Sequence, residues 1–177
     1  MVRNPDLIAS IRSIPDFPKK GIVFRDITTL LKDRVAFNRA IDILHEHYRS
    51  KEISKVVSVE SRGFIFGAPL AYTLGAGFVP VRKPKKLPAE IIREEYKLEY
   101  GTDAVEIHKD GISSEDRVLI VDDLLATGGT ILATAKLVER LGATIVSLGF
   151  LIELSFLNAR ERLQAYDVFS VIKYDSE

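Results

Sequence analysis

The residues best suited to chemistry lie at positions 118–130, VLIVDDLLATGGT. An apolar run ends in Asp122 and Asp123, and Leu124 and Leu125 lead to Ala126, Thr127, Gly128, Gly129 and Thr130, where helical periodicity begins. Glycines let backbone approach a ligand closely, and the free N–H groups and dipole of a helix start attract a phosphate. Thr127 and Thr130 add hydroxyl donors. Two carboxylates repel a bare phosphate, so they suit sugar hydroxyls or a cation. A ribose 5-phosphate satisfies both halves of the segment. Either half alone also suits ordinary turn and capping chemistry between a strand and a helix. The segment is not a P-loop, because Gly129 stands where a lysine should precede the final threonine, and the chain has no GxGxxG.

The elements that must position these residues follow from periodicity. Residues 117–121 are a near-continuous apolar run, suited to a central parallel strand, and Ile131, Leu132, Ala135, Leu137 and Val138 have helical spacing up to a closing Gly142. Upstream, residues 55–59, 63–74 and 77–81 read as strand, helix and strand, a βαβ unit. Residues 33–48 form an amphipathic pattern through Val35, Phe37, Ala40, Ile41 and Leu44, with Asp33 as N-cap. Strands are expected at 144–151 and 169–172. Near the N-terminus, Leu7, Ile8 and Ile11 predict a helix over 6–14, broken by Pro15, Pro18 and Gly21 before a short apolar piece at 22–24. Residues 82–95, with Arg82, Lys83, Lys85, Lys86, Arg93 and two prolines, read as a long mobile loop, and 96–100 with 104–107 as a hairpin around Gly101. The expected fold class is α/β: a central, mainly parallel sheet flanked by helices, with ligands beyond the strand C-termini. It forms one domain over 1–177, with a small N-terminal hood over about 1–32, a core over 33–177, and a flexible loop at about 82–103.

Residues 118–130 resemble the signature of the type I phosphoribosyltransferases, which bind 5-phosphoribosyl-1-diphosphate. FPKKGIVFRDIT, VESRGFIFGAPLA, GFVPVRKPKKLP and LEYGTDAVEIHKD are similar to segments of the adenine-specific members, so the likeness runs along nearly the whole chain. The resemblance implies the type I fold with its hood and catalytic loop, and transfer of the phosphoribosyl group to adenine, giving AMP and diphosphate in purine salvage. It implies that Asp122 and Asp123 bind the ribose hydroxyls, directly or through magnesium, and that Ala126, Thr127, Gly128, Gly129 and Thr130 cradle the 5-phosphate. Arg62 corresponds to the arginine of the diphosphate loop, where its forked head suits that anion. Phe24 would lie against the base, with backbone groups of Val23 and Arg25 reading its edge and Leu124 covering the opposite face. Lys83 and Lys86 would neutralise the diphosphate as the basic stretch closes over it. The oxopurine relatives carry an aspartate where this chain has Ala126, which cannot move a proton; the likeness gives that role to Glu99, near N7 of the purine, and loop closure to Tyr100. Read without the family, Phe24 is a core aromatic, the basic stretch a solvated loop and Glu99 an outward hairpin residue.

Two departures from the family pattern stand out: Lys85 replaces a usual glycine in the basic stretch, and Ser58 one before the ESRG segment. Magnesium is the implied cofactor, arriving with the diphosphate; no protein-only metal site is expected, and His45, His47 and His108 match no zinc spacing. With 25 basic and 25 acidic residues the chain carries no field for nucleic acid or a membrane surface. It has no cysteine, which excludes thiolate catalysis and favours a cytoplasmic address. The family implies a homodimer. Two rivals remain, a transferase for xanthine or orotate and a regulator that senses the ribosyl diphosphate without catalysis. Ala126 and FRDIT oppose the first; Arg62, Glu99 and the lack of spare length for a DNA-binding domain oppose the second.

Overall fold

The computed structural model describes residues 4–97 and 101–176. Its centre is a five-stranded, all-parallel sheet in the order β4-β3-β7-β8-β9, formed by β3 (Lys55–Val59), β4 (Gly77–Val81), β7 (Arg117–Leu125), β8 (Thr144–Leu154) and β9 (Val168–Tyr174). The β-branched and apolar runs put both faces of these strands in core, as a parallel sheet requires. On one face, α3 (Arg34–Tyr48) and α4 (Gly63–Leu74) bury Leu44, Tyr48, Phe66 and Leu70 against Leu119 and Val121. On the other, α5 (Gly129–Arg140) buries Ile131, Leu137 and Val138 against Val118 and Ile120. Asp33 caps α3 as expected, accepting from the N–H groups of Val35 and Ala36 at 2.8 and 3.1 Å. Val35 itself is exposed, on the capped first turn of the helix.

Strand order reverses between β3 and β7: the chain steps out to β4, then returns to the other side of β3. Such a reversal opens a crevice beyond the strand C-termini, where ligands of open α/β sheets bind. β7 loses its β3 partner after Val121 but keeps pairing with β8 from Asp122 to Leu125. Asp122 and Asp123 therefore lie within the strand, at a step in the sheet, and not after its end as their polarity suggests.

The N-terminal hood differs from its sequence reading. The helix α1 (Pro5–Ser10) is short, and β1 (Arg12–Ile14) pairs antiparallel with β2 (Phe24–Asp26). Pro15 disfavours helical backbone at Ile14, which helps the chain leave the helix early. A short helix, α2 (Thr28–Lys32), follows. The loop expected over 82–95 is cut short by β5 (Ile91–Lys97), which pairs along its length with β6 (Thr102–His108). Ile92 and Tyr96 pack on the α5 side of the core, and Glu94, between them, reaches Lys136 and Arg140 of α5 at 3.2 and 3.4 Å. The charges of Arg93, Glu94 and Glu95 hide this two-residue period in the sequence.

Candidate active site

The crevice at the β3/β7 reversal holds a cavity of about 380 Å³ whose walls include Glu60, Arg62, Lys83, Asp122, Asp123, Leu124 and Thr130. An adjoining cleft of about 90 Å³ runs along Ala126, Thr127, Gly128 and Gly129, sharing Asp122, Leu124 and Thr130. Gly128 has φ 80°, the left-handed conformation that glycine tolerates, and serves as N-cap of α5 with no side chain capping the first turn. The N–H groups at that helix start are thus open to an anion.

Arg62 follows β3 and leans across the crevice. Its Nε lies 2.9 Å from Asp123 Oδ2, and its guanidinium carbon lies 5.7 Å from the centre of the Phe24 ring. One side chain thus joins the expected base wall, diphosphate loop and ribose acids. The Glu60–Ser61 peptide just before it is cis. Burial, and behind it the charge of Asp123, pushes the Asp122 carboxyl well above the ordinary carboxylate range. Burial also raises Asp123, against the pull of Arg62. An α-carbon without a side chain at Gly63 makes room here: a Cβ would come within 2.7 Å of Asp122 Oδ1.

The basic stretch does not face the cavity bare. Glu60 accepts hydrogen bonds from Arg82 Nε and Nη2 at 3.3 Å, from the Lys83 N–H at 3.1 Å and from Lys86 Nζ at 2.5 Å. Burial opposes the charge of Glu60, but these donors outweigh it and bring its carboxyl down to about 2. Lys83 Nζ donates to Asp103 and, at 2.8 Å, to Tyr96 OH, which in turn accepts from Thr130 Oγ1 at 3.1 Å. Lys83 lines the cavity, whereas Lys86 lies outside its wall on Glu60. Glu60, Tyr96 and Asp103 were not legible as site residues. Acids among anion-binding groups look repulsive in sequence, and only the fold reveals them as partners for the cations.

Val23 and Arg25 flank Phe24 at the hood, but the Arg25 side chain turns toward β9. Glu99 and Tyr100 lie outside the described residues. Among the described residues no group of three or more His, Cys, Asp or Glu could hold a metal by itself. A larger cavity of about 570 Å³, between α3 and β9 and lined by Ile43, His47 and Phe169, contains none of the expected residues.

Residues 27–176 match the family model for the phosphoribosyl transferase domain. An adenine phosphoribosyltransferase of Solibacter usitatus is 61% identical over 171 residues, covering 97% of this chain and 99% of that protein. The crystal structure of adenine phosphoribosyltransferase from Thermoanaerobacter pseudethanolicus superimposes with a TM-score of 0.93 at 58% identity, over 96% of this chain and 99% of that one. The Saccharomyces cerevisiae adenine phosphoribosyltransferase, solved with an imino-altritol bisphosphate and adenine, gives a TM-score of 0.89 at 41% identity, over 95% and 97% of the two chains. Their agreement in sequence and in fold, along nearly the full length, places this chain in the phosphoribosyltransferase family, among the adenine phosphoribosyltransferases.

Proposed function

We propose that the protein transfers the 5-phosphoribosyl group of 5-phosphoribosyl-1-diphosphate to adenine, giving AMP and diphosphate. The observation that carries this reading is the convergence of Arg62, the Asp122–Asp123 pair and the uncapped start of α5 on one crevice at the strand reversal. Anion and sugar sites then lie in the order that a ribosyl diphosphate requires.

In this reading the N–H groups of residues 126–130 and the hydroxyls of Thr127 and Thr130 hold the 5-phosphate, and Asp122 and Asp123 hold the ribose hydroxyls. Arg62 releases Asp123 and turns to the diphosphate, joined by Lys83. Phe24 and Leu124 clasp the flat base, while the backbone of Val23 and Arg25 reads its edge. As the bond between the anomeric carbon and the diphosphate breaks, positive charge grows on that carbon, and N9 of adenine forms the new bond. Glu99 exchanges a proton at N7, and Tyr100 closes over the substrates to exclude water.

The donor set fits magnesium. Two oxygen-bearing acids stand side by side, and burial together with the charge of Asp123 pushes Asp122 up, a repulsion that a cation would offset; among the described residues no third such ligand joins them, so substrate oxygens and water would complete the shell. Asp122 and Asp123 would hold the ion, and the chemistry it would supply is neutralisation of charge on the departing diphosphate. A homodimer acting in the cytoplasm belongs to the same proposal. Tyr72, 87% exposed on α4, offers apolar surface for a partner subunit.

Incubation with magnesium, 5-phosphoribosyl-1-diphosphate and, in turn, adenine, hypoxanthine, guanine, xanthine and orotate tests the activity. AMP from adenine and little product from the others is expected. A nucleotide from another base alone, or diphosphate binding without product, overturns the reading.

A further inference from the structure

The strand that carries Phe24 is poorly anchored by itself. β2 has three residues and pairs only with β1, also of three, and a two-stranded ribbon of that size does not hold its own position. Its placement must come from what its side chains grip. Asp26, at one end, accepts from Arg12 Nε at 3.0 Å and from the Thr28 N–H at 2.9 Å, which ties it within the hood. Arg25 reaches further, to the main sheet. Its guanidinium carbon sits 4.0 Å from the centre of the Tyr174 ring, at the end of β9. Nη1 donates to Ser13 Oγ at 2.5 Å and Nη2 to the Ser176 carbonyl at 3.4 Å, while Nε is buried without a hydrogen-bond partner. The ring face is therefore what holds the inner part of the head.

Tyr174 is itself well fixed. It pairs with Leu154 of β8, and its carbonyl accepts from Ser155 Oγ at 2.9 Å. Side chains alternate along a strand, so a grip on Arg25 sets the tilt of the neighbouring Phe24 without touching the base. We infer that Tyr174 is a positioning residue for the base: through the Arg25 guanidinium it sets β2, and with it Phe24 and the backbone groups of Val23 and Arg25, in register with the parallel sheet. This rests on the adenine reading above. On that reading the 5-phosphate and diphosphate groups bind elements that Tyr174 does not hold, and the link from Phe24 to them is the long 5.7 Å approach of Arg62 to its ring, so the effect falls chiefly on adenine.

Steady-state kinetics of Tyr174→Leu, Tyr174→Phe and the wild type test this, with KM measured separately for adenine and for 5-phosphoribosyl-1-diphosphate. Tyr174→Leu should raise the adenine KM about five- to tenfold, as expected for a half-buried cation–π contact, and change the other KM by less than about twofold. Tyr174→Phe keeps the ring and should restore the adenine KM to within about twofold of wild type. If Tyr174→Leu fails to fold, Arg25→Met, which leaves β9 and the Arg25 backbone in place, should give the same selective rise. An unchanged adenine KM, or an equal rise for both substrates, overturns the inference. Absence of AMP from the wild type would instead overturn the functional reading, and calorimetric binding of adenine to wild type and Tyr174→Leu would then decide the inference alone.

Discussion

Asp122 and Glu60 both stand at the crevice, yet their surroundings push them in opposite directions. Asp122 is raised by burial and by Asp123, so its ionised form destabilises the fold, and stability is lost as pH climbs past the ordinary carboxylate value of 3.8. Glu60 is lowered to about 2, so its contribution is complete above its ordinary value of 4.5 and is lost as pH falls from there toward 2. Asp122→Asn should therefore melt higher than wild type at pH 7, by about 2–4 °C for each kcal/mol relieved, while activity falls sharply. The gain should shrink as pH falls toward the ordinary carboxylate value of 3.8 and be gone below it. Thermal melts from pH 3 to 8 check this, and a lower melting temperature at pH 7 would show that Asp122 is stabilised by its neighbours after all.

Packing between elements accounts for Ser58, one of the two departures in sequence. Ser58, fully buried on β3, donates to the Val121 carbonyl of β7 at 2.8 Å and sits against α4, where a Cβ at Gly67 would meet its Oγ and Cβ at 2.5 and 2.6 Å. Gly67→Ala should thus cost about 1–3 kcal/mol in urea unfolding, and adding Ser58→Gly should recover most of it; independent costs would refute the contact. Lys85 adopts φ 68°, a left-handed backbone that glycine takes more readily than lysine. The parallel strands and α3 to α5 were legible because their apolar spacing is strong. β5 was hidden by Arg93, Glu94 and Glu95: Arg93 pairs with Glu95 along the strand at 2.9 Å, and Glu94 reaches Lys136 and Arg140 of α5. The residues proposed to hold a ribose phosphate were singled out by their types and order, and the fold brings them to one crevice. Glu60, Tyr96, Asp103 and Tyr174 could not, since their roles depend on contacts between segments far apart in the chain.

Across the whole molecule, a chain of zero net charge places cations at the crevice and sets an acid behind each. Arg82 and Lys86 rest on Glu60, Lys83 on Asp103 and Arg62 on Asp123. On the proposed reading, a phosphate entering the cavity would displace the resident carboxylates of Arg62 and Lys83, which its departure would leave free to return. Binding would then be an exchange of counter-ions rather than the filling of bare positive charge, and would temper affinity for the leaving group. Removing one resident acid should tip that exchange. In Glu60→Gln, diphosphate should inhibit the forward reaction at lower concentration than in wild type, and turnover limited by product release should slow. A higher inhibition constant would mean that Glu60 chiefly positions the cations and does not compete for them.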